Sequence, residues 1–190
     1  LNQGAKLFEI PRAVRRSFDA AKRAALDAAV FRNATDGFQY RFEGLRVADA
    51  RSAWRDDPLH RFAATLNHPD TIAAFRTLPG MAGLGFADAQ ATLYSPGDFL
   101  TDHDDDVAGK NRQAAYVFSL TRGWRADWGG LLLLEDQPGR ADRFTALVPG
   151  WNRLTLFRVP RRHSVSLVSP AAPRARLSIT GWLRSGEPPA

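Results

Sequence analysis

Two kinds of hydrophobic spacing divide the chain. Up to residue 88 the apolar positions recur mostly at the three-to-four-residue interval of helices, whereas from Ala89 onward they alternate in short runs cut by Gly, Pro and Asp. In the first part, Ser17 reads as the N-cap of a helix carrying Phe18, Ala21, Ala25, Leu26, Ala29 and Val30 on one face. Phe38-Gln39-Tyr40-Arg41-Phe42 alternates as a strand with its aromatic rings on one side. Pro58 opens a second helix with Leu59, Phe62, Ala63 and Leu66, which has to stop before Pro69. A third is expected from about Asp70 to Leu78, ended by Pro79-Gly80. In the second part strands are expected at about 89–94, 98–103, 112–121, 130–135, 143–148, 153–159, 162–169 and 175–183. No gap between them is long enough for crossover helices, which argues against a parallel sheet. The expected fold class is therefore mainly β with N-terminal helices: a double-stranded β-helix, or jelly roll, with supporting α-helices. Residues 1–190 read as one domain, with 1–88 a helical support region and 89–184 the jelly-roll core.

Composition narrows the class. Apolar residues make up 44% of the chain, with five Trp and twelve Phe, so a sizeable core can be buried and a disordered chain is excluded. No apolar run approaches the ~20 residues of a membrane span, so no membrane partner is expected. No basic-apolar-small leader stands at the start, although a chain that begins at Leu1 rather than Met limits what its start says about targeting; cytoplasmic residence is the default expectation. The absence of cysteine removes disulfides and thiolate ligands. A net charge of +6 admits an anionic partner, but the arginines are scattered and not interleaved with stacking aromatics, which weighs against nucleic acid. Oligomeric state is not legible. Gly-x-Ser-x-Gly, phosphate-binding Gly-rich and His-Glu-x-x-His motifs are all missing.

Candidate chemistry centres on Tyr94-Ser95-Pro96-Gly97-Asp98-Phe99-Leu100-Thr101-Asp102-His103-Asp104-Asp105. If this run stays extended, His103 and Asp105 share a face and Asp104 points away. A third ligand has to come from the remaining histidines, His60, His68 and His163. His60 and His68 lie near helix ends and read as surface or capping residues, whereas His163 stands between two alternating runs. His103, Asp105 and His163 together make the two-histidine, one-carboxylate facial set that suits non-haem Fe(II) and leaves coordination positions open. Asp102, Asp104 and Asp106 resemble a calcium loop only in spacing, since its sixth and twelfth positions hold Val107 and Gln113 in place of Gly and Glu. On the last strand Arg176, Ser178 and Thr180 share a face. An inward arginine there calls for an anion, and an Fe(II) chelator with a carboxylate tail has the shape of 2-oxoglutarate. Arg174 is the rival position.

Tyr94…Pro96-Gly97-Asp98-Phe99-Leu100…His103-Asp104-Asp105, then Trp128-Gly129-Gly130, His163-Ser164-Val165 and Arg176-Leu177-Ser178-Ile179-Thr180-Gly181-Trp182 resemble, in that order, the Fe(II)/2-oxoglutarate dioxygenases of the prolyl-4-hydroxylase type. The resemblance is strongest to the bacterial proline-hydroxylase-like branch, which is similar to the catalytic domain of ribosomal-protein prolyl hydroxylases. It covers residues 89–184. It implies that His103, Asp105 and His163 bind Fe(II), that Arg176 pairs with the distal carboxylate of 2-oxoglutarate, and that O2 is the second co-substrate, with ascorbate as an accessory reductant. Tyr94, Tyr116 and Thr180 are implied to lie near 2-oxoglutarate; Arg112 and Asn111 border the loop after the ligands and are candidate substrate contacts. Trp128-Gly129-Gly130 is expected to pack a turn beside the site and Trp182 to belong to the barrel core. Asp105 argues for hydroxylation, because halide-transferring relatives lack that carboxylate. The implied reaction is hydroxylation of an unactivated carbon coupled to decarboxylation of 2-oxoglutarate to succinate, most readily on a prolyl residue of a protein or peptide, since the loop 107–111 is too short for a large lid. A free amino acid or small metabolite is the alternative substrate. Nucleic-acid demethylation fits less well, because that branch carries Arg-x-Asn-x-Thr-x-Arg where this chain has Arg174-Ala175-Arg176-Leu177-Ser178; a non-catalytic jelly-roll binding module is the remaining class.

Overall fold

The computed structural model describes residues 2–3, 6–7, 9–47, 57–140 and 142–188, so residues 48–56 of the support region lie outside the description. Its N-terminal part forms strands β1 (Asn2–Gln3) and β2 (Lys6–Leu7), which pair with each other, and helices α1 (Arg12–Arg16), α2 (Ala20–Asp36), α3 (Pro58–Leu66) and α4 (Pro69–Arg76). The same part also supplies β3 (Tyr40–Arg41), β4 (Glu43–Arg46) and β5 (Leu84–Ala87). Then follow β6 (Gln90–Tyr94), β7 (Phe99–His103), β8 (Arg112–Leu120), β9 (Leu132–Glu135), β10 (Phe144–Leu147), β11 (Trp151–Arg158), β12 (His163–Val165) and β13 (Arg176–Ser185). Each of the eight expected strands is present with shifted ends. The 162–169 run shortens to three residues because Val168 leaves the strand to bridge Gly129.

Two antiparallel sheets make the jelly roll. The smaller has the order β10-β9-β12-β7-β3; the larger has β11-β8-β13-β6-β4, with β5 added to the far end of β13. Strands β3, β4 and β5 come from the N-terminal part, so residues 1–88 are not only a helical support: they complete an edge of both sheets. Helices α3 and α4 cover the outer face of the larger sheet. Strand alternation there is strict: Ala114 and Tyr116 of β8 and Ile179 and Leu183 of β13 pack with Leu59, Leu66 and Ile72 of the helices, and Phe62 stacks on Phe118 with centroids 5.0 Å apart. The intervening Ala115, Val117 and Trp182 face the smaller sheet, where they meet Leu132 and Leu134 of β9 and Phe157 of β11. Leu84 and Leu183 are fully buried where β5 meets β13; truncating either to Ala costs about 2–5 kcal/mol.

The helix ends follow side-chain chemistry. Pro58 and Pro69 stand in the first turns of α3 and α4, where a missing N–H is harmless. Asp57 caps α3, accepting from the His60 N–H, and the His68 ring accepts from the Asp70 N–H to cap α4. The expectation for Ser17 is corrected: it closes α1, its hydroxyl donating to the Val14 carbonyl at 2.8 Å, while Asp19 caps α2 by accepting from the Lys22 N–H at 2.7 Å. A carboxylate there gives a charge-assisted bond, and Phe18 falls outside the helix.

Candidate active site

Strand pairing brings the two histidines together. His163 opens β12 and lies directly opposite His103 at the end of β7, with ring centroids 4.1 Å apart. Asp105 lies between their inner nitrogens, His103 Nε2 being 3.5 Å from Oδ1 and His163 Nε2 3.4 Å from Oδ2. The three ligand atoms lie within 4.8 Å of one another, a set that could hold one metal ion. Each imidazole is fixed from behind: His103 Nδ1 is 3.0 Å from the Thr101 carbonyl and His163 Nδ1 2.8 Å from the Arg161 carbonyl. A carbonyl only accepts, so each Nδ1 carries the proton and each Nε2 keeps its lone pair for a cation.

The reason Asp105 reaches this point differs from the expected strand alternation. Strand β7 ends at His103, and Asp105 adopts φ 66°, the left-handed region that Asp tolerates better than most residues. Its conformation is secured by Arg112 of β8, whose Nη1 donates to the Asp105 carbonyl at 3.0 Å and to Oδ1 at 3.3 Å. Arg112 in turn lies 3.5 Å over the Trp182 ring. Burial raises the Asp105 pKa, but the hydrogen bond and charge of His163 and the charge of His103 outweigh it, and the carboxyl is held below its usual range. Burial, then His163, push the His103 pKa down. The Trp182 indole N–H also favours the ionised form of Asp105. The site is thus a carboxylate flanked by two imidazoles whose Nε2 atoms face it.

Beyond it, Arg176 opens β13 opposite Tyr94 at the end of β6. Only 2% of Arg176 is exposed, its guanidinium carbon lies 4.9 Å from the Tyr94 ring centroid, and its Nε has no hydrogen-bond partner. Burial lowers its pKa, Tyr94 opposing that in part, and burial raises the Tyr94 phenol well above its ordinary value. The surrounding cluster is apolar: Tyr94, Trp124, Val165, Val168 and Ala172. The Trp128-Gly129-Gly130 turn packs against this end. Gly129 has φ +66°, and a Cβ there would stand 2.0 Å from the Leu167 carbonyl; one on Gly130 would crowd Val168 at 3.1 Å and Arg176 Cδ at 3.4 Å. The turn before β7 is also tied down: the Ser95 N–H donates to Asp98, which lies 3.2 Å from Arg41 Nε. Burial pushes the Asp98 carboxyl up to about 6, against the Ser95 bond and Arg41.

The other expected residues divide. Thr180 lies half-buried on the Arg176 side of β13, in the stretch between Arg176 and Trp182. Tyr116 does not reach the cavity: it belongs to the helix-covered face, where its hydroxyl donates to the Asp88 carbonyl at 2.7 Å. Asn111 is exposed in a left-handed turn, and its carbonyl accepts from the Ser185 N–H. Arg174 is exposed beside the Arg122 carbonyl, leaving Arg176 as the inward arginine. His60 and His68 hold helix caps, far in role from the triad. Two residues escaped the sequence reading. Asp88 accepts from the Trp182 N–H at 2.7 Å, and its carbonyl comes so close to β13 that a Cβ at Gly181 would stand 2.1 Å away. Phe38 places its ring 5.2 Å from that of His103.

A jelly roll with a two-histidine, one-carboxylate set at the ends of β7 and β12 and, on β13, a buried arginine whose Nε has no partner defines a class: a metal-dependent enzyme that anchors an anionic co-substrate. The model of the 2OG-Fe(II) oxygenase superfamily matches residues 89–184, and the chain belongs to that superfamily. It is a 2-oxoglutarate-dependent dioxygenase using Fe(II), 2-oxoglutarate and O2. Among solved structures it is similar to a prolyl-4-hydroxylase from Pseudomonas putida (22% identity, TM-score 0.59, 89% of each chain covered). It is also similar to a prolyl hydroxylase from Trichoplax adhaerens solved in complex with a hypoxia inducible factor peptide fragment (16%, 0.55, 90% and 95%). A prolyl 4-hydroxylase from Phytophthora capsici aligns as well (19%, 0.60, 86% of this chain and 54% of that one). At these identities the likeness is one of fold. No curated protein matches the chain. Among the described residues no helix is long and apolar enough to cross a membrane.

Proposed function

We propose that the enzyme hydroxylates a prolyl residue of a protein or peptide, with Fe(II) held by His103, Asp105 and His163 and the distal carboxylate of 2-oxoglutarate held by Arg176. The observation that carries the co-substrate assignment is the unpartnered, buried Nε of Arg176. A guanidinium in an apolar cluster costs several kcal/mol unless an anion meets it, and a carboxylate is the anion whose geometry matches its fork. When bound, the metal and co-substrate supply the oxidation, converting 2-oxoglutarate and O2 to succinate, carbon dioxide and a hydroxylated carbon. The protein's contribution is placement. His103 and His163 present fixed Nε2 lone pairs, Asp105 supplies the one negative charge, and Arg112 prevents that carboxylate from rotating away. Tyr94 and Thr180 flank Arg176 and orient the same carboxylate. The apolar walls around Arg176 keep water from competing for it.

Support for a peptide comes from the shape of the entrance and from the relatives. Residues 104 and 106–111 form a short, exposed segment, which leaves room for an extended chain to cross the site. The fold is shared with three prolyl hydroxylases, one of them bound to a peptide fragment. The test is succinate formation by Fe(II)-reconstituted protein with capped prolyl pentapeptides, their alanine counterparts and free L-proline. Stimulation by the prolyl peptides alone, with the mass gain of one oxygen atom on proline, is expected. Stimulation by free proline alone would move the assignment to a small-metabolite hydroxylase.

A further inference from the structure

The row of side chains on the inner face of the smaller sheet runs from Leu134 on β9 to His163 on β12 and His103 on β7. The next strand in the order is β3, and Phe38, two positions before β3 begins, brings its ring to the His103 end of β7. Its ring stands 5.2 Å from His103 and is followed on the same side by Tyr40 at 5.9 Å, Phe42 at 5.1 Å from Tyr40, and Tyr94 at 4.8 Å from Phe42. The series therefore leads from a metal-ligand histidine to the aromatic ring under Arg176. Its members become more buried along the way: Tyr94 is buried, Tyr40 and Phe42 half-buried, and Phe38 is 40% exposed. An inward-facing phenylalanine that remains this exposed marks the side on which the cavity opens. Across from it the larger sheet offers Arg112 stacked on Trp182.

We propose that Phe38 is the apolar wall of the substrate entrance, the surface on which an aliphatic ring or side chain lies while its C–H bond is presented to the metal site. This rests on the oxygenase reading and deepens it, because it makes the substrate's reacting end apolar and gives the N-terminal part a direct role in choosing it. Methylenes of a pyrrolidine ring packed on one face of an aromatic ring are removed from water, and the loss of that contact weakens binding about tenfold. Phe38 packs on His103 but supplies no ligand atom to the metal set, so its removal leaves N-oxalylglycine affinity unchanged.

The experiment is calorimetric titration of Zn(II)-loaded protein with N-oxalylglycine, an inert analogue of 2-oxoglutarate. Three probes are added: a capped prolyl pentapeptide, the same peptide with leucine for proline, and free L-proline. Parent, Phe38→Ala and Phe38→Leu are compared. The expected result is prolyl-peptide binding that falls about tenfold in Phe38→Ala and recovers to within about threefold in Phe38→Leu, with unchanged N-oxalylglycine affinity in all three. Binding of the leucyl peptide or free proline instead, weakened in the same way by Phe38→Ala, would keep the wall and overturn the prolyl assignment. A probe that binds parent and Phe38→Ala equally would overturn the wall alone. Failure of all three probes to bind the parent would overturn an entrance built for an apolar side chain.

Discussion

The histidine end and the arginine end of the jelly roll bury charge in opposite ways. At the histidine end every group has protein partners: Asp105 faces two imidazoles and is bonded by Arg112, and both histidines donate to main-chain carbonyls. At the arginine end Arg176 sits among aromatic and aliphatic side chains with its Nε unsatisfied. The first end is assembled before anything binds, so its geometry is a property of the fold. The second carries a cost that Tyr94 offsets in part and a ligand relieves further, so it couples co-substrate binding to stability.

Removing the cost is the sharpest way to break this contrast. Arg176→Met replaces a buried cation, partnered by Tyr94 but with its Nε unsatisfied, by an apolar chain of similar length. It should raise the KM for 2-oxoglutarate at least about 100-fold and also stabilise the ligand-free protein by about 1–4 kcal/mol in chemical denaturation. A destabilised ligand-free variant with unaltered KM would show that Arg176 is a structural residue. At the other end the effect should have the opposite character. Arg112→Ala frees the Asp105 carboxylate and should weaken Fe(II) binding by about 10–100-fold, while 2-oxoglutarate affinity at saturating iron stays within a factor of two or so; equal losses of both ligands would erase the distinction between the ends. The tyrosines give the smallest and most selective test. Tyr94→Phe should raise the KM for 2-oxoglutarate severalfold. Tyr116→Phe should leave it unchanged and cost about 1–2 kcal/mol of stability, because the Asp88 carbonyl loses its donor.

The same contrast governs what the sequence discloses. The Arg176 end is legible because β13 alternates polar and apolar residues: Arg176, Ser178 and Thr180 against Leu177 and Ile179. One face carries Ile179 and Leu183 against the helices and the other carries Arg176, Ser178 and Thr180, so strand phase can be read. Strand β8 lies between the same helices and an apolar part of the cavity, and Ala114, Ala115, Tyr116, Val117 and Phe118 are apolar on both faces. Periodicity there carries no phase, which is why Tyr116 was expected on the wrong side. At the histidine end the fold brings His103, Asp105 and His163 together as the sequence suggests, but for a different reason. Asp105 is aimed by a left-handed turn and by Arg112, a contact made across the chain that alternation cannot express. Ser17 and Asp19 are both good caps two residues apart, and only the observed helix start separates them. Strand β5 and the role of Phe38 depend on pairings between the N-terminal part and the jelly roll, and long-range pairing leaves little trace in local pattern.

The central claim is that one cavity holds Fe(II) at the triad and 2-oxoglutarate between that metal and Arg176. Anaerobic titration of the purified protein with Fe(II) and 2-oxoglutarate tests it most directly through the visible charge-transfer band of the chelated complex. The band should form in the parent, fail in Asp105→Ala at any 2-oxoglutarate concentration reached, and form in Arg176→Ala only at far higher 2-oxoglutarate. A parent protein that shows no band, and that binds iron no more tightly than His163→Ala, would contradict it.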